Sequence, residues 1–440
     1  MPAHADEGQY RRFLCCFRHA GPPHTTIREE HLLLEELRMS GIASMWEPAF
    51  ADAVARAVEA RTSIPLEMEV VRDEAGIESL RPYWDGLVER SATVAPFMRF
   101  EWMRLWSHEF RAEYSPCVVV LKDGLGEPQA IAPLMLGRGT RGREHLRVLG
   151  FLGGLGHAQG ERMDFIVPRG REAELAPLLC SAFRTMRSEW DAVHLAKVPE
   201  ESPNLPHILF ALGNCADDAG VLNRHPCRFM HLPASWEEYE MGMSGAWRSK
   251  FRRRWKSMVN EHHAVVGLAG TDVLPTDAMH GLHDLHELNW PCHTSLFTRP
   301  EAWSFHQRLA ERWVPEGRMV LLTVAIDGRA AAVVMGFVER GEFFQFQHGW
   351  DPAYSRLSIG RLAMHASIQH AIARGLCVYD MMPGEFDYKT HLCKDVRHVL
   401  DIEAFNPLSL RARIFRSLRG FKRLVPDHKQ EEPQTAAGVP

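Results

Sequence analysis

The chain has 440 residues, of which 45% are hydrophobic and 24% are charged, a composition typical of a folded globular protein. This length is enough for two or three domains and excludes a single small binding module. The 51 lysines and arginines against 56 aspartates and glutamates give a net charge of -5. That balance argues against a nucleic-acid partner held by overall positive charge.

The cysteine pattern and the apolar runs predict a cytoplasmic protein. The nine cysteines are scattered singly, without a C-x-x-C pair, so we expect reduced thiols. No window approaches about 18 consecutive apolar residues, as a membrane-spanning helix would need. The first residues do not lead into the apolar stretch of an export signal.

The spacing of apolar residues divides the chain into five parts. Residues 1–62 lack steady periodicity, and we expect a poorly ordered extension. Residues 63–232 and 264–407 repeat one order: two helical runs, an antiparallel strand meander, then a helix and a strand. We therefore predict two similar α/β (α+β) halves, each a mixed, mostly antiparallel sheet flanked by helices. Residues 233–263 form a basic connecting helix, and residues 408–440 form a basic amphipathic tail.

The predicted elements follow in chain order. In the first half they are strand 68–73, helices 76–89 and 98–110, strands 117–121 and 130–136 as a hairpin around Asp123, a glycine-rich loop 150–160, strand 163–167, helix 171–187 and strand 192–198. In the second half they are helices 276–290 and 301–313, strands 319–326, 330–338 and 342–350, helix 359–374, and strands 376–382 and 398–405.

The connecting helix has one narrow apolar stripe, formed by Trp247, Phe251, Trp255 and Met258. Its other sides carry six cations: Arg248, Lys250, Arg252, Arg253, Arg254 and Lys256. Such a helix can attract a phosphate-bearing partner while its stripe packs on the protein, and Arg248 and Arg252 are candidate substrate contacts. The alternative is a solvated connecting helix.

Two further motifs do not support a cofactor site. His280, His283 and His286 recur every three residues, so they drift around a helix and form no HExxH zinc site; we expect no metal. The glycine-rich loop 150–160 misses the G-x-G-x-x-G spacing of a dinucleotide site. In or beside that loop, His157 and Glu161 are available for polar contacts, although a plain surface loop is the alternative.

The turn before helix 359–374 is the best candidate for an anion site. Strand 342–350 leads through a short turn into this helix, whose first N–H groups, around Ser358, Gly360 and Arg361, lack intrahelical partners. Arg356 and Arg361 add positive charge, so a pyrophosphate would fit there. An ordinary helix start is the alternative.

A cluster of titratable residues follows that helix. Asp380 lies on a predicted strand, and Glu385, Tyr388 and Lys389 come within ten residues of it. An acid, a base and a cation beside an anion site form a candidate catalytic set. The alternative is a structural salt bridge between Glu385 and Lys389, which are four residues apart.

Three stretches resemble the cellulose-biosynthesis-type (CelD/BcsL-type) acetyltransferases of the GNAT superfamily: the basic run after Leu232, HGWDPAYSRLSIGRLAMHASIQHAIARGL, and YDMMPGEFDYK. The likeness covers about residues 67–407 and includes the family's terminal G-E-x-x-Y-K. It implies tandem GNAT-like halves and an acyl-CoA donor, such as acetyl-CoA, whose pyrophosphate lies on residues 358–362, which include Ile359 and Leu362. The chain departs from the usual Q/R-x-x-G-x-G/A spacing of the superfamily.

Together these features predict an acyltransferase that acts on an amine or hydroxyl of a small molecule or saccharide, for example an exopolysaccharide precursor. Glu385 or Asp380 would remove the acceptor proton, Tyr388 would protonate the leaving thiolate, and Lys389 would bind an anion or keep Glu385 ionised. His348 and His157, like the two connecting-helix arginines, would contact the acceptor.

Two other functions remain open at this stage. FemAB-type transferases, which use aminoacyl-tRNA, have the same two-half arrangement. A non-catalytic scaffold in envelope polysaccharide assembly is the other. Residues 408–426 also predict a basic helix that touches the inner membrane surface, the alternative being a helix packed on the protein.

Overall fold

The computed structural model describes residues 66–140, 142–154, 156, 158–289 and 297–424, with side chains up to residue 419. The predicted extension, residues 1–62, lies outside the described residues, as does the end of the tail from residue 425.

The first half and the connecting segment contain these elements: β1 (Glu67–Val71), α1 (Glu74–Ser79), α2 (Arg81–Arg90), α3 (Phe100–Glu109), β2 (Tyr114–Pro116), β3 (Val118–Lys122), β4 (Pro128–Ala132), β5 (Leu134–Arg138), β6 (Arg147–Phe151), α4 (Glu172–Thr185), β7 (Ala192–Pro199), α5 (Leu205–Cys215), β8 (Asp217–His231), α6 (Trp236–Gly242) and α7 (Gly245–Asn260). A short 3-10 turn, Pro96–Met98, precedes α3.

The second half contains β9 (Val265–Leu268), α8 (Pro275–Asn289), α9 (Pro300–Trp313), β10 (Met319–Ile326), β11 (Arg329–Glu339), β12 (Glu342–Trp350), a 3-10 turn (Pro352–Leu357), α10 (Ile359–Ala373), β13 (Val378–Pro383), α11 (Asp387–Leu392), β14 (Asp395–Phe405) and the tail helix α12 (Leu410–Leu424).

One continuous sheet runs through both halves. In the described part of the chain, eleven strands follow the spatial order β2-β5-β6-β7-β14-β8-β13-β12-β11-β10-β9, and β1, β3 and β4 form a second sheet. Most neighbours are antiparallel, with parallel pairing between β6 and β7 and between β12 and β13. The predicted fold class, mixed sheets flanked by helices in two similar halves, is therefore confirmed.

The halves exchange strands at the centre of this sheet. The last strand of the second half, β14, lies between β7 and β8 of the first half. Strand β8 in turn lies between β14 and β13, so that Phe229 is the register partner of both Asp380 and Asp395. Each half thus completes its sheet with the other.

Each half contains one split between two parallel strands. Strands β12 and β13 pair only from Glu342 to Phe344, and β6 and β7 pair only from Val148 to Gly150. Beyond these residues, β13 and β7 have register shifts, with left-handed backbone at Met382 (φ 61°) and Lys197 (φ 60°). A bulge of this kind bends a strand, which explains why each pair diverges.

A buried ion pair and an aromatic cluster hold the halves together elsewhere. Arg99, before α3, donates to Glu339 at the end of β11 over 2.8 Å (Nε to Oε2), and both side chains are almost fully buried. Trp102 packs edge-on against Phe305 and Phe337 of the second half, at 4.8 and 5.6 Å between ring centroids. Since a buried charge is costly without its partner, this pair couples the two halves.

The predicted elements of the second half are confirmed, but several of the first half are wrong. Helix 76–89 is two helices, because Pro82 begins a new one at α2. The run 130–136 is two strands in different sheets, divided at Pro133. The run 163–167 forms no strand and makes one isolated bridge, between Ile131 and Ile166.

The tail is helical, as predicted, and one of its faces packs on β8 and β14, the exchanged strands of the two halves. Phe415 contacts Phe405, and Arg416 forms ion pairs with Asp217 (2.6 Å) and Asp218 (2.7 Å). Leu410, Ile414 and Leu418 lie on the exposed side of the helix. Among the described helices, none is both long and apolar enough to cross a bilayer.

The strand exchange predicts that neither half folds alone. We expect fragments 66–263 and 264–424, expressed separately, to aggregate or to lack a cooperative unfolding transition, because each would expose an unpaired central strand edge. Expressed together they should copurify as one folded complex. A cooperative thermal transition of fragment 66–263 alone would contradict the exchanged arrangement.

The buried histidines predict loss of stability in acid. Burial lowers the pKa of His306 to about 4, while its Nδ1 donates to the carbonyl of Ala302 (2.7 Å). The unfolded chain binds a proton there below its ordinary pKa of about 6.5, and the folded chain does not, so stability falls between these pH values by up to about 1.4 kcal/mol per pH unit.

His306→Phe should flatten this dependence, since Phe297, Phe305 and Phe346 already surround the ring. Urea unfolding of the variant and the parent at pH 7, 6 and 5 measures the difference. His391→Gln, at an exposed position, is the control. Equal slopes for the parent and His306→Phe would show that His306 is protonated in the folded protein.

Candidate active site

The connecting helix α7 packs against α10 through its predicted apolar stripe. Phe251 and Met258 are buried, while Trp247 and Trp255 are half-buried. The ring centroid of Phe251 lies 4.8 Å from that of His365 in α10. A hydrogen bond of 3.1 Å joins Nδ1 of His365 to the hydroxyl oxygen of Tyr239. The stripe therefore fixes α7 beside the start of α10.

Positive charge concentrates where α10 begins. The guanidinium of Arg254 donates to the hydroxyl of Ser358 (Nη1 to Oγ, 2.5 Å), and Arg361 lies over the ring of Trp247, 5.6 Å from its centroid. Burial, then Arg361 and Arg253, lower the pKa of Arg254, and burial lowers that of Arg361. Two partly buried guanidinium groups at a helix N-terminus make an environment that an anion would stabilise.

Sequence reasoning placed Arg254 on the outer face of the helix, whereas the structure places its guanidinium against Ser358 at the start of α10. The signal was its spacing, because Trp247, Phe251, Arg254 and Met258 are separated by four, three and four residues. This is the spacing of one helical face, which Arg254 shares with the apolar stripe.

The other predicted donor-binding residues contribute in different ways. Ile359 and Leu362 have buried side chains, so only their backbone can face a ligand. A Cβ added to Gly360 would lie 3.3 Å from the ring of Trp350, which explains the glycine by close packing instead of phosphate approach. Arg356 is exposed on the 3-10 turn before Ser358.

The split of the second half is lined by polar groups. From residue 345 to residue 350, β12 pairs with β11 but no longer with β13. Gln345 is buried, its Nε2 lies 3.3 Å from Nδ1 of His348, and its Oε1 has no hydrogen-bond partner in the described part of the chain. Burial, then Lys389 and His286, lower the pKa of His348 to about 3, so this ring is neutral at physiological pH.

Asp380 and Lys389 hold the bulge that opens this split. Asp380 is fully buried; its Oδ1 accepts from the N–H of Met382 (2.6 Å), and its Oδ2 pairs with Arg397. The ammonium of Lys389 donates to the carbonyls of Met381, Met382 and Pro383, at 2.8, 3.1 and 2.9 Å. Both residues therefore bind backbone groups that the bulge leaves without a strand partner.

Tyr388 lies beside His348 of the split, and Glu385 lies in the loop between β13 and α11. Tyr388 is half-buried, and its ring centroid is 5.8 Å from that of His348. Burial raises the pKa of Tyr388, so its hydroxyl stays protonated and can donate. Glu385 is exposed and forms no ion pair with Lys389, so the proposed structural salt bridge between them is wrong.

The remaining predicted contacts are not gathered at the split. Arg252 forms an ion pair with Glu240 (2.5 Å), and Arg248 donates weakly to the carbonyl of the same residue (3.4 Å). Both lie on α7, near the anion site. His157 lies outside the described residues.

The split of the first half is closed by the chain itself. Residues 158–163 form what we call the plug segment. At its end the N–H of Met163 donates to the carbonyl of Lys197 on β7 (3.0 Å), past the point where β6 leaves that strand. Helix α4 of the same half starts with Glu172, which accepts from Gly170 N–H (2.7 Å), and with Glu174. Acidic residues at a helix start repel anions, so the start of α4 is less suited to an anion than the start of α10.

No group of three or more metal-ligating side chains comes together among the described residues. Within α8, His286 is buried and lies 3.2 Å from Gln347 (Nε2 to Oε1). The histidines of this helix also pack against Trp303 and Phe297, so they contribute to an aromatic core.

Comparisons with known proteins bear on the fold of the chain. Residues 246–390, from α7 to α11, match the family model described as an acetyltransferase (GNAT) domain. No curated protein matches the chain. A crystal structure of FemX superposes with a TM-score of 0.53 at 10% identity, covering 80% of this chain and 99% of that one.

Two other solved structures resemble the chain more remotely. A tandem GNAT protein from the clavulanic acid biosynthesis pathway has a TM-score of 0.42 and 11% identity, covering 78% of this chain and all of the other. L-PGS from Bacillus licheniformis has a TM-score of 0.44 and 10% identity, covering 77% and 96%. The sheet topology, the superposition on FemX and the match over residues 246–390 show that the chain has a tandem GNAT-like fold, and that its acetyltransferase (GNAT) domain match covers residues 246–390.

Proposed function

We propose that the protein is an acyl-CoA-dependent acyltransferase whose one donor site lies in the second half. The observation that carries this proposal is that a cationic helix start follows the strand that borders the second-half split. Strand β12 parts from β13 after Phe344, and the chain then leads to Ser358, bound by Arg254, and to the first N–H groups of α10. In the first half, the N-cap arginine of α4, Arg171, is already paired with Glu174 (2.8 Å), and Glu172 begins the helix.

The residues at the start of α10 suit the pyrophosphate of CoA. Backbone N–H groups at a helix N-terminus and guanidinium groups are the usual phosphate ligands of proteins. Arg254 is already oriented by its bond to Ser358, and Arg361 by its contact with Trp247. Bound there, acyl-CoA would supply a reactive thioester, and the free β12 edge would supply N–H groups to its carbonyl.

We assign different roles to the predicted catalytic residues. Tyr388 keeps its proton and lies beside the split, so it protonates the leaving thiolate. Asp380 and Lys389 position the bulge, because their polar atoms already bind Met382 N–H, Arg397 and three carbonyls. Glu385, exposed on the rim, contacts the acceptor, and so does His348 from inside the split.

We further propose that the acceptor is an amine or hydroxyl of a saccharide, as the resemblance to CelD/BcsL-type acetyltransferases implies. Neutral His348 and the buried amide of Gln345 can exchange hydrogen bonds with sugar hydroxyls without adding charge to the split. Neither residue selects between N- and O-transfer.

An aminoacyl-tRNA-dependent transferase is the second candidate, favoured by the outer face of α7. Lys250, Arg253 and Lys256 are exposed on this helix, beside the same anion site. A row of cations suits a long phosphate backbone better than it suits one pyrophosphate. The fold shared with FemX is compatible with either donor.

Substitution of Arg254 tests the donor site. We expect Arg254→Met to raise the dissociation constant of acetyl-CoA about tenfold or more, because one charge-assisted phosphate contact is worth roughly 1.4 kcal/mol or above. Titration calorimetry with acetyl-CoA measures the change.

The matched control is the double variant Arg253→Gln and Lys256→Gln, on the outer face of α7. It should bind acetyl-CoA like the parent. If the parent binds no CoA, and the double variant weakens salt-dependent binding of aminoacyl-tRNA, the second candidate replaces the first. Binding of neither would favour a non-catalytic scaffold.

We also propose that the outer face of α12 contacts an anionic membrane surface. Leu410, Ile414 and Leu418 are at least half exposed at a spacing of four residues, and Arg411 and Arg413 flank them. The ion pairs of Arg416 hold the helix so that this stripe points outward. An apolar stripe bordered by cations is the pattern of helices that lie in the membrane interface.

Replacement of Leu410, Ile414 and Leu418 by serine should abolish sedimentation with phosphatidylglycerol-containing vesicles, since the apolar contact area is lost while the charges stay. The control is Leu125→Ser, at an exposed turn of the first half. Pelleting of the triple variant equal to that of the parent would contradict membrane contact through this face.

A further inference from the structure

The plug segment brings one acidic side chain from the first half to the centre of the molecule. Glu161 follows Gly160, whose N–H binds the carbonyl of Gly153 (2.7 Å), and precedes Arg162, which has left-handed backbone (φ 54°) and pairs with Glu201 (2.5 Å). These contacts, with the bond from Met163 to Lys197, fix the backbone on both sides of Glu161.

The carboxyl group of Glu161 points inward and forms no ion pair among the described residues. Its Oε2 is shielded from solvent and has no hydrogen-bond partner among the residues described. Charged groups within electrostatic reach come from four elements: Lys197 on β7, Asp401 on β14, Lys389 on α11 and Asp380 on β13. Cys227 on β8 also lies close enough to be affected by it.

The neighbouring acids are already engaged, and Glu161 is not. Asp401 accepts hydrogen bonds from Lys197 (3.0 Å), Asn223 (3.2 Å) and His225 (2.7 Å). Asp380 is held by Arg397 and Met382, as described above. Glu161 is half-buried, with one shielded carboxyl oxygen that has no partner among the described residues, and it lies within electrostatic reach of Lys389. It is therefore the acid at this junction that is best placed to take up and release a proton.

We infer that Glu161, delivered by the plug segment of the first half, is the base that accepts the proton of the acceptor's nucleophile in the second-half split. This inference rests on the proposed acyl transfer. The nucleophile forms its bond to the acyl carbon while the carbon–sulfur bond to CoA breaks. Its proton passes to the Glu161 carboxylate, and the thiolate takes the proton of the Tyr388 hydroxyl. Glu161 then releases its proton to solvent, and the Tyr388 oxygen takes up a proton from solvent. Both side chains thereby regain their starting state.

The electrostatics of the junction suit this role near neutral pH. Burial raises the pKa of Glu161 to about 8; Lys197 and Lys389 oppose the rise, and Asp401 and Asp380 add to it. A base works best when its pKa lies near the working pH. Since the carboxylate form is the active one, activity should increase as the pH rises toward about 8 and then level off.

The arrangement also explains why the first-half split is filled. A chain segment that occupies the first-half split leaves no room for a donor there. It can instead hold a side chain at a fixed position next to the other half. The first half would then supply the base, and the second half would bind the donor.

The test compares Glu161→Gln, Glu161→Asp and the parent in three measurements. Titration calorimetry with acetyl-CoA reports donor binding. Release of the CoA thiol with water as the acceptor, followed from pH 6 to 9, reports transfer. Infrared titration of the carboxyl band reports the protonation of Glu161 without any substrate.

We expect Glu161→Gln to bind acetyl-CoA like the parent, to release thiol at least 100-fold more slowly with no rise toward about pH 8, and to lose a carboxyl band that titrates in that range. Glu161→Asp should recover part of the rate. Asp164→Asn is the matched control, because it removes a buried acid that Thr93, Ser202 and Asn204 already satisfy. It should lower stability and keep the rise with pH.

Two outcomes overturn the inference while the proposed function stands. The first is normal acetyl-CoA binding by Glu161→Gln with thiol release within about threefold of the parent. The second is a parent spectrum in which no band lost in Glu161→Gln titrates near pH 8. A third outcome is a parent protein that binds no acetyl-CoA in the calorimetric titration. This result would overturn the proposed function and the inference together.

Discussion

The pairing of β8 with β14 is the interaction on which the rest of the structure depends. It runs from Asp395 opposite Phe229 to Phe405 opposite Asp217, and it joins the last strand of one half to the last strand of the other. The exchanged strands join the strands of the two halves into one continuous sheet. The two splits therefore lie at a fixed distance from each other. Arg99 and Glu339 reinforce this arrangement away from the centre. A group from one half can therefore serve a reaction in the other without any domain movement.

The two halves share a plan and differ in chemistry. Both contain a parallel strand pair that diverges at a left-handed bulge, at Lys197 in one half and at Met382 in the other. In the first half the opening is filled by the plug segment, and the following helix starts with Glu172 and Glu174. In the second half Arg254 and Arg361 border the helix start that follows β12. This asymmetry is the basis for assigning one donor per chain, and it follows from which charges stand at equivalent helix termini.

The sequence predicted the second half better than the first. Strands β10 to β12 are apolar runs bounded by the turns at Gly328 and Gly341, so their pattern identified them. Strand β8 escaped prediction because its 15 residues, with Pro226 and several charges, show no alternation of apolar and polar positions. The burial of its residues is set by pairing with β13 and β14, which are distant in sequence. The candidate site shows the same contrast. The helix start at Ser358 and the helical face of Arg254 can be derived from local spacing, whereas the position of Glu161 near groups of β7, β13, β14 and α11 depends on long-range packing.

The central claim is that one donor binds, at the start of α10 in the second half. Hydrogen-exchange mass spectrometry of the whole protein with and without acetyl-CoA, combined with the calorimetric stoichiometry, tests it most directly. We expect one molecule per chain and slower exchange at the amides of residues 359–362 and along the free edge of β12. Two molecules per chain, or protection at the start of α4 around Glu172 in place of α10, would contradict the account.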